Sequence, residues 1–375
     1  MMRDELFKDL LNILRCPITS NELILLESKN FKDYNLPEEF ARFGRLKRGL
    51  IDNSKKFFYP VFDDILILHQ QYATFVGSES NSPKCMSSDK KRVFDYYNEV
   101  NFKVRDSFKI YGDAPKWVDE REVSLKYLKN SFNKAARFYP HYGKFILDVG
   151  SGPIGFDEYI NLSDGYEYRI CIDLSVNALI EAKNNMDKVN KKGIYICGDI
   201  TNIPLQSDTC DTVLCQHTLY HVPKNDQFTA VNELYRVAKV NSKVVIVYSW
   251  FYHSWMMNLS LNIIQLYRIS RHFFGKFYIK IFNSKPRLYF YSHSVRWFRK
   301  SFTFSRDLEI YCWRSTNKYF LTIFIHKWFF GEFLLTRLIK IEDKFSKFMG
   351  IFGEYPVIVI TKKQETVQRI ENQIN

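Results

Sequence analysis

Phe145-Ile146-Leu147-Asp148-Val149-Gly150-Ser151-Gly152-Pro153-Ile154-Gly155 is the stretch on which the fold turns. An apolar run ends in an acid, and closely spaced glycines follow. That order predicts a buried strand, a sharp turn and the start of a helix. Glycine lacks a Cβ, so the backbone can turn tightly and approach a ligand closely. The helix that opens there presents free N–H groups to such a ligand. The spacing Gly150-x-Gly152-x-x-Gly155 also satisfies a dinucleotide fingerprint, and a purely structural strand-to-helix turn would use the same glycines.

The surroundings narrow the choice. Candidate strands recur at 144–149, 168–173, 193–197, 212–215 and 243–250, with helical stretches at 175–189 and 225–239 between the later ones. This alternation predicts an α/β fold with a doubly wound, mostly parallel sheet and right-handed crossovers. Acids or polar residues sit at the strand ends, where such sheets bind ligands. Asp173 ends Ile170-Cys171-Ile172-Asp173-Leu174-Ser175, and its carboxylate can accept two hydrogen bonds from a ribose diol. Asp199 follows the third strand and can accept from an adenine amine. Gln216-His217-Thr218-Leu219-Tyr220-His221 continues the fourth.

In order and spacing these residues resemble the class I S-adenosylmethionine-dependent methyltransferase family, most closely from about 144 to 250. Asp148 is the discriminator, because dinucleotide folds usually carry an apolar residue before the first glycine. The resemblance implies a seven-stranded Rossmann-like sheet and S-adenosyl-L-methionine as cofactor. It also implies that Asp148, Gly150 and Gly152 surround the methionine part, that Asp173 holds the ribose, and that Asp199 and Ile200 flank the adenine, with Ser151 and Leu174 as further cofactor-binding positions. Gln216 and His217 would lie against the other face. The family usually has a Pro-Gly-Gly-type turn before its fifth strand. Val240-Asn241-Ser242-Lys243 stands there instead, and asparagine tolerates left-handed turns.

Residues 1–75 precede a polar linker at 76–90 and predict a small α+β domain of their own, leaving 91–375 for the methyltransferase domain. Leu11-Asn12-Ile13-Leu14-Arg15-Cys16-Pro17-Ile18-Thr19 and Phe58-Tyr59-Pro60-Val61-Phe62-Asp63-Asp64-Ile65 resemble the Trm112-like, zinc-ribbon-related domain. Zinc-binding members use four cysteines, and this segment has only Cys16, so a metal-free version is expected.

The seven cysteines of the 375-residue chain form no CxxC pair, which argues against a disulfide framework. A reducing cytoplasm fits, as does an N-terminus without a signal-peptide core. The apolar stretch from Phe320 to Ile339 is broken by His326, Lys327, Glu332 and Arg337, so no membrane span is predicted. The net charge of +13 favours an anionic partner. Residues 251–300 hold nine Lys or Arg and no acid, interleaved with aromatic rings. We read this segment as a helical lid that binds an anionic acceptor through residues such as Arg268 and Arg271. A solvated helical face and an anionic membrane surface are its rivals.

For the chemistry, His221 is the candidate general base, Tyr220 a wall of the acceptor pocket and His253 a second base or acceptor contact. Packing roles compete at each position. The expected activity is O-methylation of a small-molecule, sugar or glycan acceptor. An RNA or protein methyltransferase and a non-catalytic scaffold of the same fold are the alternatives, and the oligomeric state stays open. Nucleic acid is not favoured as a partner, because no RNA-binding module is recognisable. The lone Cys16 carries its own test. Metal analysis of the purified protein should find no stoichiometric zinc, and zinc that disappears on deleting residues 1–75 would contradict the expectation.

Overall fold

The structure is a computed structural model that describes residues 4–28, 46–76, 86–105, 108–262, 264, 266–267, 269–270, 274–275 and 288–374. Helix α1 (Asp4–Ile13) precedes five strands: β1 (Leu23–Glu27), β2 (Arg48–Asp52), β3 (Phe57–Phe62), β4 (Ile65–Ile67) and β5 (Thr74–Phe75). Helix α2 (Ser88–Glu99), the hairpin β6 (Phe102–Arg105) and β7 (Phe108–Tyr111), and helix α3 (Glu122–Phe132) follow. Then come β8 (Gly143–Val149), α4 (Asp157–Ile160), β9 (Tyr166–Asp173), α5 (Val176–Lys188), β10 (Gly193–Cys197), β11 (Cys210–Gln216), α6 (Gln227–Val237) and β12 (Ala238–Val247). After α7 (Trp255–Ser260), the sheet is completed by β13 (Leu308–Arg314) and β14 (Tyr355–Thr361).

Twelve strands, not seven, form the main sheet among the described residues. Seven of them, β8 to β14, lie in the order β10-β9-β8-β11-β12-β14-β13. The other five come from the N-terminal segment, which joins through β4 pairing parallel with β10. The central strands from β4 to β12 run parallel, and β14 is antiparallel to both β12 and β13.

Alternation along the strands explains why both faces are covered. Val244 and Ile246 of β12 pack into one core with Phe145 and Leu147, whereas Val245 and Val247 pack into the other with Ile146 and Leu214. Strand side chains alternate between faces with period two, so each strand feeds both cores. The N-terminal segment is held by more than strand pairing. Leu10 and Leu14 are buried in the first core, and Arg15 N donates to Pro204 O at 3.0 Å. Cys16 is buried with its thiol 3.2 Å from the Tyr59 hydroxyl. Among the described residues no cluster of three metal-ligating side chains forms. Asn241 adopts φ +67°, the left-handed conformation its turn requires.

Under the second core lies a buried ion pair. Lys134 Nζ and Glu342 Oε2 are 2.7 Å apart, with both side chains out of water. Glu342 Oε1 also accepts from the Tyr127 hydroxyl at 2.6 Å and from Ser315 N at 2.8 Å. Removing one partner strands the other charge without solvent. Glu342→Ala is therefore expected to lower stability by about 3–5 kcal/mol in chemical denaturation. A loss under about 1 kcal/mol would show that water or another carboxylate takes its place.

Candidate cofactor and acceptor site

Strand order reverses between β8 and β11, which opens a crevice at their carboxyl ends. The glycine turn closes one side of it. Gly150 and Gly152 have φ of +70° and +56°. A Cβ on Gly150 would lie 2.1 Å from Thr218 Oγ1, so only glycine lets the loop after β11 pack there. Gly150 N donates to Ile172 O at 2.7 Å, and Gly152 N donates to Asp173 Oδ2 at 2.9 Å. The other oxygen, Oδ1, accepts from Ser175 N at 2.9 Å. Asp173 thus ties the turn to the start of α5. Each of its oxygens has a second lone pair for a ligand hydroxyl. Burial pushes its carboxyl up to about 6 against the pull of these backbone donors. Burial and the Asp173 charge also hold the Tyr97 and Tyr111 phenols well above the usual tyrosine range.

The two flanking acids are engaged by cations that the sequence reading did not single out. Asp148 is buried, and its carboxylate is bound by the Arg169 guanidinium, which also donates to Tyr159 O at 2.5 Å. Asp199 pairs with Lys90 of α2 and accepts from Thr201 N at 2.9 Å and Thr201 Oγ1 at 2.8 Å. Its carboxyl lies below the ordinary range, because Lys90 and these hydrogen bonds outweigh burial. Arg169 had a visible signal, a cation inside an apolar strand. Lys90 had none.

Leu174 and Ser151 are half-buried beside the turn, and Ile200 is buried next to Asp199. Gln216 ends β11, where its buried Oε1 has no hydrogen-bond donor among the described residues. An unsatisfied buried acceptor costs roughly 1–3 kcal/mol, so the position suits a ligand that brings a donor. The ammonium group of the expected cofactor would be such a donor, and the Asp173 oxygens have lone pairs left for a ribose diol. The residues present therefore fit the group.

His217 takes φ +57° and puts Nδ1 3.1 Å from the Tyr220 hydroxyl. Burial and the Arg314 charge lower it to about 3. His221 Nδ1 lies 2.8 Å from Tyr289 O. A carbonyl only accepts, so Nδ1 carries the proton and Nε2 keeps its lone pair. Burial lowers this histidine to about 4, which leaves it neutral at physiological pH. Tyr220 is buried against His221 and Phe290.

His253 stands apart from His221. It lines an open pocket of about 670 Å³ with Lys224, Tyr291, His293, Arg296 and Lys300 among its other walls. Trp297 stacks on His293 at 3.9 Å along the same wall. The loop from Tyr220 to Lys224 joins the two places, and Tyr291 N donates to Tyr220 O at 2.8 Å. Arg268 and Arg271 lie outside the described residues, as does much of the expected lid. Lys224, Arg296 and Lys300 were not singled out from the sequence, although the last two belong to its acid-free stretch.

Residues 147–246 match the profile of a family described as "Methyltransferase domain". The chain is 28% identical over 200 residues to the uncharacterized protein MJ0638 of Methanocaldococcus jannaschii, covering 52% of this chain and 78% of that one. Among solved structures it resembles the YcgJ protein of Bacillus subtilis, with 17% identity, a TM-score of 0.29, and 32% and 50% of the two chains covered. It also resembles phosphoethanolamine N-methyltransferase 2 of Haemonchus contortus, solved in complex with S-adenosyl-L-methionine. That likeness has 16% identity, a TM-score of 0.37, and 62% and 52% covered. The chain spans about half the length of each of these two solved proteins. Residues 147–246 are thus similar in sequence to a methyltransferase domain.

Proposed function

We propose that the chain transfers the methyl group of S-adenosyl-L-methionine to an oxygen of a small-molecule, sugar or glycan acceptor that carries negative charge. The observation that carries the cofactor half is Asp173, whose oxygens fix the glycine turn and keep lone pairs for a diol. The sulfonium cofactor supplies the methyl group and the leaving group. This chain's own residues position the acceptor and exclude water. His221, neutral and with Nε2 unprotonated, takes the hydroxyl proton. Tyr220, packed on His221, limits where the acceptor can lie. Residues 1–75 act as a fused Trm112-like support, a reading favoured by their continuation of the sheet through β4.

The pocket around His253 supports the anionic acceptor. Lys224, Arg296 and Lys300 face it without a carboxylate within ion-pair distance among the described residues. Trp297 and Tyr291 offer rings to a sugar or base.

Three outcomes separate the readings when the protein is incubated with methyl-labelled cofactor and fractionated cell extract. Label in phosphorylated sugars or glycans supports the proposal. Label in RNA or protein moves the acceptor to those classes, and a bound cofactor without any transfer makes the chain a scaffold. With a labelled acceptor in hand, Arg296→Gln with Lys300→Gln should raise its KM by roughly tenfold or more and leave cofactor affinity unchanged. An unchanged KM would remove the pocket from the acceptor site.

Asp173→Ala should weaken cofactor binding by roughly 1.5–3 kcal/mol, the range for hydrogen bonds to a charged group. In the wild type, binding should also weaken as pH falls through about 6, because protonation removes an acceptor from the ribose. The variant should lose that dependence. A folded variant that binds as tightly as wild type would overturn the ribose assignment.

A further inference from the structure

The helix Gly331–Lys344 has two unlike faces. Leu335 and Glu342 are buried against the protein, whereas Phe333, Leu334 and Ile341 point to water. The outward positions 333, 337, 341 and 345 repeat every four residues, which places them on one stripe. Just before this helix, the turn Lys327–Phe329 ends at Phe330, whose φ of +54° is left-handed. There Trp328, Phe329 and Phe330 are 93%, 72% and 79% exposed. Beyond it, exposed Phe345 and Phe348 continue the stripe into the helix Ser346–Phe352. Phe352 then contacts Trp255 of α7, with ring centres 6.2 Å apart, and Trp255 is itself exposed.

So many exposed large apolar side chains on one helix and its flanking turns are uncommon on a protein that meets only water. The charges mixed into it indicate what covers it. Residues 318–348 hold six Lys or Arg against three acids. Glu342 is buried on Lys134 and Asp343 pairs with Arg137 at 3.0 Å, while Lys327 and Lys347 pair with Glu122 and Glu309, so Arg337, Lys340 and Lys344 stand on the outward helix surface against Glu332. Arg337 lies 5.1 Å over the Phe333 ring and Lys344 lies 5.4 Å over that of Phe345. Cations therefore alternate with rings on the same outward face. Protein interface cores are depleted of lysine and would leave such charges stranded. At a bilayer surface the same mixture is favourable. Rings enter the headgroup boundary, long basic side chains reach back to phosphates, and a helix lies in the plane. Among the described residues no helix is long and apolar enough to cross a membrane, so contact is from one side.

We propose that this face, centred on Trp328, Phe329, Phe330 and Phe333, docks in plane on an anionic lipid bilayer. The lipid-facing surface is distinct from the pocket around His253, and the proposal holds whichever acceptor the enzyme uses.

Flotation of the full chain with lipid vesicles tests it. Wild type should bind vesicles of phosphatidylcholine with phosphatidylglycerol and bind pure phosphatidylcholine at least tenfold more weakly. Trp328→Ser with Phe329→Ser should lower binding to the mixed vesicles by roughly tenfold or more. Lys340→Gln with Lys344→Gln should lower the preference for the anionic mixture by a similar factor. Both variants change exposed side chains, so their thermal unfolding and cofactor affinity should match wild type. Absence of vesicle binding by wild type overturns the proposal, as does equal binding by wild type and the aromatic variant. A wild-type dimer that the aromatic variant turns into a monomer, with no vesicle binding, assigns the face to a second copy and overturns it too.

Discussion

One carboxylate holds the site together. Asp173 ends β9, accepts the Gly152 N–H through one oxygen and the Ser175 N–H through the other, and so joins the glycine turn to α5. Burial pushes its carboxyl up, against the pull of these backbone donors. A ligand that brings hydroxyl donors relieves that cost, because hydrogen bonds to the charged form stabilise it. The same residue therefore shapes the turn and keeps acceptors for a diol-bearing ligand. Beneath it, the buried Asp148–Arg169 pair holds β8 and β9 in register behind the turn. Breaking such a pair costs more than making it gains, so it acts as a constraint more than as a source of stability.

The parallel core was legible because its signals are local. The strands ending at Val149, Asp173 and Cys197 are apolar runs that finish in acid or glycine, and the structure ends β8, β9 and β10 there. Other elements depend on partners far along the chain. β2 is only Arg-Gly-Leu-Ile-Asp, and β6 and β7 are four residues each, too short for periodicity to mark. The pairing of β4 with β10 brings residues 65–67 to 195–197, a choice made by the sheet edge and by no motif. This is why twelve strands stand where the resemblance implied seven.

The site shows the same division. The residue types at 148, 173 and 199 could be read from the sequence, but their partners could not. Lys90 reaches Asp199 from α2, over a hundred positions earlier in the chain, and changes how much of that carboxylate a ligand can use. The proton on His221 is fixed by the Tyr289 carbonyl, 68 residues later. The basic excess, known from the sequence only as a total, divides into a pocket of cations and rings around His253 and an outward aromatic face between residues 318 and 348. The first would suit a charged acceptor and the second a charged surface.

The central claim is that the crevice between β8 and β11 receives the adenosyl cofactor on Asp173. A crystal structure of the chain with S-adenosylhomocysteine tests it most directly. The account predicts the ribose diol on the Asp173 carboxylate and the amino-acid end beside Gly152, with its ammonium near Gln216 Oε1. Ligand density elsewhere, or a ribose held by another carboxylate, would contradict it.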